Sequence, residues 1–442
     1  METYDNTNRS YYIKEVENED HVKHNVFYVN KNVPIDEEMI KEIEKYDCIV
    51  IEFGDEFNQA VDNLPAEIEE LYFGRDFNQA VDNLPSKIKK LSFGYYFNQP
   101  IENLPSGLKK LRFEGKFNQC VDNLPTEIQE LTFGSNFNQA VNNLPSKIQK
   151  LTFDWDFNQP VDNLPQNIQY LAFGLKFNQP VDNLPPKIQQ LTFDREFNQP
   201  VDNLPSEIEK LTFDWNFNQP VDNLPSKIKE LVFGYYFNQP IDNLPLGLKK
   251  LTFDGYFNQS VDNLPPEIQQ LTFGTSFNQP INNLPSAIQQ LTFGYKFNQP
   301  LCDNLPNNIQ YLAFGSKFNQ PLCDNLPSNI KLIKFNDNFN QSIDNLPIEI
   351  EQIIFGDEFN QPIITLKDKN KLKKITFGNK FNQSLCDNLP SGLQELTLGE
   401  EFNQPLGSFL PKGLQKLTIS NNYNKTINYI PVSVKIIRSF FL

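Results

Sequence analysis

The sequence predicts a mainly β solenoid of about 18–19 coils, with short parallel strands and an extended, non-helical return arc. Three observations predict it. Phe-Asn-Gln recurs eighteen times, at Phe57, Phe77, Phe97 and every 20 residues to Phe297, then at Phe318, Phe339, Phe359, Phe381 and Phe402. A short fixed period is the mark of stacked coils, each too small to fold alone, rather than of separate globular domains. Within each period apolar residues stand two apart, as Leu71 and Phe73 do, which is the spacing of one face of a strand. Many periods also carry two prolines, as at Pro160 and Pro165, and these forbid a helix between the strands.

In chain order, residues 1–50 read as an N-terminal extension and cap. The first 20 are polar and read as loose. Asn25–Tyr28 fits a short strand, and a helix of about residues 36–46 follows, with Asp36 as its cap and Met39, Ile40, Ile43 and Tyr46 as an apolar stripe. Such a cap would cover the open face of the first coil. His21 and His24 form H-x-x-H, but two ligands do not close a zinc site, so no metal is expected. Residues 51–430 are the solenoid, and residues 431–442 read as a last strand and an apolar closing cap.

One coil explains the rest. Ile68, Leu71 and Phe73 face inward. Gly74 and its equivalents (Gly94, Asp154, Asp194, Asp214, Gly274, Asn336) select a turn with positive φ or an Asx hydrogen bond. Phe77 fills the core, and Val81 and Leu84 complete it. The strictest polar column is Asn58, Asn78, Asn98, Asn118, Asn138, Asn158, Asn178, Asn198, Asn218, Asn238, Asn258, Asn278 and Asn298. It is expected to be a structural ladder, its amides bonding backbone carbonyls that the corner leaves unpaired.

The pattern Phe-Asn-Gln-Pro-Val-Asp-Asn-Leu-Pro-x-x-Ile-x-x-Leu-x-Phe-Gly resembles the FNIP repeat family, which is similar to leucine-rich repeats. The likeness covers about residues 51–430, with Gln59 and its equivalents where the family name has Ile. It implies a leucine-rich-repeat-like solenoid and a source among amoebae or the giant viruses that infect them. Some relatives carry an F-box that docks to a cullin ubiquitin ligase. No F-box is evident in residues 1–50.

Composition bounds the partners. The net charge is −16, which disfavours nucleic acid and anionic membranes. No apolar run is long enough to span a membrane, and the start lacks a signal-peptide segment. Five dispersed cysteines (48, 120, 302, 323 and 386) read as reduced thiols, Cys302 and Cys323 being close enough in register to pair. A glycan on the sequons at Asn258, Asn340 or Asn382 would disrupt the stack. Together these predict an intracellular, monomeric protein of the host or cell cytoplasm.

Function must then lie on the surface. The column after the Gly/Asp turn carries Tyr95, Trp155, Leu175, Trp215, Tyr235 and Tyr295; exposed aromatics favour partner contact, and Tyr95, Trp155, Trp215, Tyr235 and Tyr295 are the candidate partner-binding residues. The alternative is that they lie flat and shield the ladder. A threonine column (Thr132, Thr152, Thr192, Thr212) suits strands, and its charged and amide neighbours speak against an ice-binding face. The Asp column (Asp62, Asp82, Asp122, Asp162, Asp182, Asp202, Asp222) is expected to cap local turns through backbone N–H groups, a bridging cation being the alternative. Residues 95–180 recur at 235–321, an offset of seven coils that points to the copying of a seven-coil block. One coil, between 359 and 381, departs from the pattern as ITLKDKNKLKK. No nucleophile–base pair or phosphate loop can be assembled, so no catalysis and no cofactor are expected. The reading is a protein–protein interaction scaffold with an unspecified protein partner. The alternatives are a ligase substrate receptor and a structural rod in a viral or cellular assembly.

Overall fold

A computed structural model describes residues 10–17, 23–301, 305–406, 410–427 and 434–440. The chain divides into two compact units, Met1–Phe217 and Asn218–Leu442.

The first unit opens with β1 (Tyr11–Glu17) antiparallel to β2 (Lys23–Val29). This corrects, for residues 11–17, the reading of the first 20 residues as loose. Tyr11 stacks on Phe27 at 5.0 Å and Tyr12 on Tyr28 at 4.7 Å, cross-strand aromatic pairs that hold a strand despite its charged neighbours. Helix α1 (Glu37–Lys45) follows. The Met39 N–H donates to Asp36 Oδ1 at 2.9 Å, and Glu37 and Glu38 sit at the positive end of the helix dipole. Its buried residues are Met39 and Ile43, while Tyr46 is exposed. Strand β3 (Val50–Phe53) then pairs in parallel with β2. From β4 (Glu70–Tyr72) to β11 (Lys210–Phe213) each strand pairs in parallel with the next, twenty residues on, so Leu71 faces Leu91 and Leu191 faces Leu211.

The second unit repeats the scheme from β12 (Glu230–Phe233) to β22 (Lys435–Ser439). Register holds through the coils of 21 and 22 residues. Leu291 faces Leu312, and Ile353 faces Ile375. The extra residues are absorbed outside the strands. Among the described residues the return arcs hold no α-helix, and the variant coil contains a 3₁₀ turn, Ile364–Asp368.

In both units the core is columnar. Phe73 stacks on Phe77 at 3.7 Å within a coil, and Phe77 on Phe97 at 6.0 Å between coils. In the second unit Phe253 lies 3.8 Å from Phe257, and Phe257 lies 6.1 Å from Phe277. These rings, with Ile68, Leu71 and Val81 and their equivalents, are buried. One coil exposes both faces of its rings; stacking covers them, which is why the array folds where a coil does not.

The turn column differs in detail from expectation. Among the described glycines positive φ occurs not at Gly74 or Gly94 but one position after the turn column, at Gly115 and Gly255. At Gly94 the constraint is close approach, since a Cβ there would lie 2.1 Å from the Gly74 carbonyl oxygen. Where Asp replaces Gly, its carboxylate closes an Asx bond: the Arg195 N–H donates to Asp194 Oδ1 at 2.7 Å, and the Trp215 N–H to Asp214 Oδ1 at 2.8 Å.

Candidate interaction surface

The corner of each coil is fixed by its Asn and Gln. The Asn78 N–H donates to Asn58 Oδ1 at 2.9 Å, and Gln79 Nε2 donates to the same oxygen at 3.0 Å and to the Asn58 carbonyl at 3.2 Å. The arrangement recurs along the first unit to Asn198 and Gln199. In the second unit it runs from Asn238 on Asn218 to Asn403 on Asn382. The sequence expectation had the polarity reversed: the side-chain oxygen accepts from an N–H of the following coil, rather than the amide nitrogen donating to a carbonyl. Gln contributes the second donor, a role that its invariance signalled and the reading missed. Asn32, outside the repeat, starts the ladder as an acceptor: its Oδ1 receives the Asn58 N–H and Gln59 Nε2, both at 2.9 Å.

The Asp column makes bonds from coil to coil, and among the described residues no cluster of His, Cys, Asp and Glu is suited to a metal. Asp62, Asp82, Asp122, Asp162, Asp182 and Asp222 accept from the Asn of the next arc, as Asn83 Nδ2 donates to Asp62 Oδ1 at 3.1 Å, Asn103 to Asp82 at 3.1 Å and Asn203 to Asp182 at 2.9 Å. Local partners add to this at Asp122, whose carboxyl is held below its ordinary range first by the Cys120 thiol and then by Asn143.

Of the candidate aromatic residues, Trp155 is 53% exposed, Tyr295 47%, Tyr95 41% and Trp215 37%; Tyr235 is half-buried. They do not form a continuous stripe. Tyr95, Trp155 and Trp215 stand three coils apart, on the order of 14 Å at sheet spacing. Four of the five instead carry local company. Arg195 lies 4.5 Å over the Trp215 ring and Lys317 5.5 Å over Tyr295. Tyr95 meets Tyr96 edge-on at 5.1 Å, and Tyr235 meets Tyr236 at 5.2 Å, both at 85°. Gly115 and Gly255, the two positive-φ glycines, lie in the coils that follow these pairs. A Cβ at Gly115 would sit 2.4 Å from Tyr95 Cδ2, so glycine leaves room for the ring.

Tyr96, Tyr236 and Tyr256 belong to a second variable column, immediately before the core Phe, which sequence reading passed over. In the first unit this column borders an open cleft of about 860 Å³ beside the Asn ladder, lined by Tyr96, Lys116, Asn136, Asp156 and Lys176. Lys116 lies 4.6 Å over the Tyr96 ring, and Asp156 accepts from Asn136 at 3.0 Å and pairs with Lys176 at 2.8 Å. That last contact holds the Lys176 ammonium above its ordinary pKa. These groups are already partnered and lack a nucleophile beside a base; the cleft can recognise polar groups but has no assembled catalytic set.

Cys302 and His21 lie outside the described residues. Cys48, Cys120 and Cys386 are free thiols. Burial pushes the Cys48 thiol up to about 11. No helix among the described residues is long and apolar enough to cross a membrane.

Comparison with known proteins adds three findings. The profile described as FNIP Repeat matches in fifteen overlapping spans that cover residues 57–368 and 381–422. No curated protein matches the sequence at a significant level. Among solved structures, CroV588 from a giant virus, described as a circular LRR protein, is 33% identical over 97% of this chain and 80% of its own, with a TM-score of 0.74. YopM from Yersinia enterocolitica is 19% identical over 90% of this chain and 93% of its own, with a TM-score of 0.56. The functional domain of InlJ from Listeria monocytogenes is 11% identical over 76% and 70%, with a TM-score of 0.50. The latter two show the fold alone.

Proposed function

Because the chain belongs to the FNIP repeat family, we propose that it is a non-catalytic protein–protein interaction scaffold, in which an invariant coil presents variable side chains to a protein partner. The observation that carries this reading is the division of labour within the coil. Phe, Leu, Ile, Asn and Gln are committed to the stack, while the two positions before the core Phe vary and expose Tyr95, Trp155, Tyr256 and Tyr295. Large aromatics in solvent are costly ornaments for a protein that touches nothing, and they are the usual anchors of interfaces. Trp215 and Tyr235 belong to the same surface. The repeat architecture is one that commonly serves binding rather than catalysis. Free thiols and the sequons within the ladder support a reducing, non-secretory compartment.

The test is affinity purification from amoebal lysate with the full chain, with residues 51–442 alone, and with Tyr95→Ala/Trp155→Ala/Trp215→Ala. A partner held by the full chain and lost in the triple variant is the expected result. Retention in the triple variant removes the aromatic positions from the proposal. A cullin adaptor held only by the full chain would replace the scaffold reading with the ligase-receptor one. No specific partner with any of the three would leave the structural-rod reading in its place.

A further inference from the structure

We propose that the return arc of the variant coil, residues 363–374, docks an acidic protein segment that carries an apolar side chain. The regular arcs are joined by their Asp-Asn pair, as where Asn345 Nδ2 donates to Asp324 Oδ1 at 2.8 Å. In the variant coil Ile364 and Thr365 stand at those positions. Ile364 is 59% exposed, and Thr365 Oγ1 is buried with no hydrogen-bond partner among the described residues. An unpaired buried hydroxyl and a solvated isoleucine both work against the stack. The arc is therefore not explained by the stability of the coil it belongs to.

What it presents is apolar and basic together. Ile348, on the preceding arc, is also 59% exposed. The two arcs are tied by Lys369 Nζ, which donates to the Leu346 carbonyl at 2.5 Å, and by Lys371, which pairs with Glu349 at 2.8 Å. Residues 367–374 hold five lysines and one acid, Asp368. Lys371 and Lys374 are paired, the latter with Glu395 at 3.3 Å. Lys367 and Lys373 are exposed and have no ion pair among the described residues. Residues 218–442 contain 19 acidic and 19 basic residues, so the lysine run is a local excess on a balanced background. The FNIP profile also lapses here, skipping 369–380.

The chemistry selects the occupant. Ile348 and Ile364 call for an apolar side chain, and Lys367 and Lys373 for carboxylates. Asp344, Glu349 and Asp368 lie among these lysines, so a phosphate polyanion or an anionic lipid surface meets repulsion that a peptide avoids by spacing its charges. This site is not one of the aromatic positions, so its failure leaves the scaffold proposal standing.

The experiment is fluorescence anisotropy of the full chain with a fluorescein-labelled peptide of Asp and Glu around a central Leu-Phe pair. Saturable binding is expected, about tenfold weaker for Lys367→Glu/Lys373→Glu and for Ile364→Asp, with circular dichroism unchanged. Replacing Leu-Phe by Ser-Ser in the peptide should weaken it comparably. Absence of saturable binding overturns the proposal, as does binding that both variants leave intact. Equal competition by a single-stranded oligonucleotide or by phosphatidylserine vesicles also overturns it, by showing a site for anions in general.

Discussion

A regular coil and the variant coil make the same corner and different arcs. In the regular coil that starts at Phe177, the ring stacks 3.8 Å from Phe173, Asn178 Oδ1 receives the Asn198 N–H at 3.0 Å, and Asn183 donates to Asp162. In the variant coil Phe377 lies 3.7 Å from Phe381, and Asn360 Oδ1 receives the Asn382 N–H at 2.9 Å, although the intervening chain is two residues longer. The Asp-Asn bond is gone. The difference separates what the stack requires from what it tolerates. Strand and corner are compulsory because neighbouring coils share them on both sides. The arc is replaceable because its polar bonds lie in solvent, where water is an adequate substitute.

The comparison can be broken at several points. The largest effect is expected for Phe177→Ala and Phe359→Ala, each costing about 3–5 kcal/mol of unfolding free energy in urea titrations. A much cheaper Phe359→Ala would show that the variant coil is not held like the rest. Next, Asn178→Ala and Asn360→Ala each strand a backbone N–H and a Gln amide, for about 1–3 kcal/mol. Equal losses are expected in the two coils. Smaller still, replacing residues 364–371 with the arc of the preceding coil removes the unpaired Thr365 hydroxyl. That chain should gain about 1 kcal/mol and lose the acidic peptide.

Two measurements probe finer differences. Asp194 sits in the turn column with Asp214 next to it; burial raises its carboxyl, the Arg195 N–H lowers it, and Asp214 raises it again, leaving it above the ordinary range. An acid whose folded pKa is raised costs stability while ionised. The cost is present at neutral pH and fades as pH falls through the folded pKa. Asp194→Asn should therefore melt higher than the parent at pH 7 and alike at about pH 3, where the parent is protonated. Among thiols, Cys120 and Cys386 should react with a maleimide in the native protein while buried Cys48 waits for unfolding, read by mass spectrometry.

Period and polarity were legible for a simple reason: each coil restates the pattern, so inward and outward positions are averaged over many copies. That made the Phe, Leu and Asn columns readable before any coordinates. It did not reveal which atom of Asn58 bonds, because periodicity places a residue without orienting its amide. Asn32 was hidden because no motif surrounds it. Gly115 and Gly255 carry no signal of their own in the repeat, because what crowds them, the Tyr95 ring and backbone and the Tyr235 backbone, comes from the preceding coil. β1 was missed because Glu15 and Glu17 mask the pairing of Tyr11 and Tyr12 with the next strand.

The Asn ladder has a direction. Within each unit the side-chain oxygen of a corner Asn receives from the backbone N–H of the coil that follows it, so the ladder has a donor side and an acceptor side. Such a series has unlike ends. The first is satisfied, since Asn32 accepts from the first repeat. The last is open, since Asn403 Oδ1 is buried with no partner among the described residues, where Tyr423-Asn424-Lys425 replaces the motif. In polymer terms the column carries a terminated head and a living tail. A Phe-Asn-Gln motif at 423–425 would supply the donors that Asn403 Oδ1 lacks.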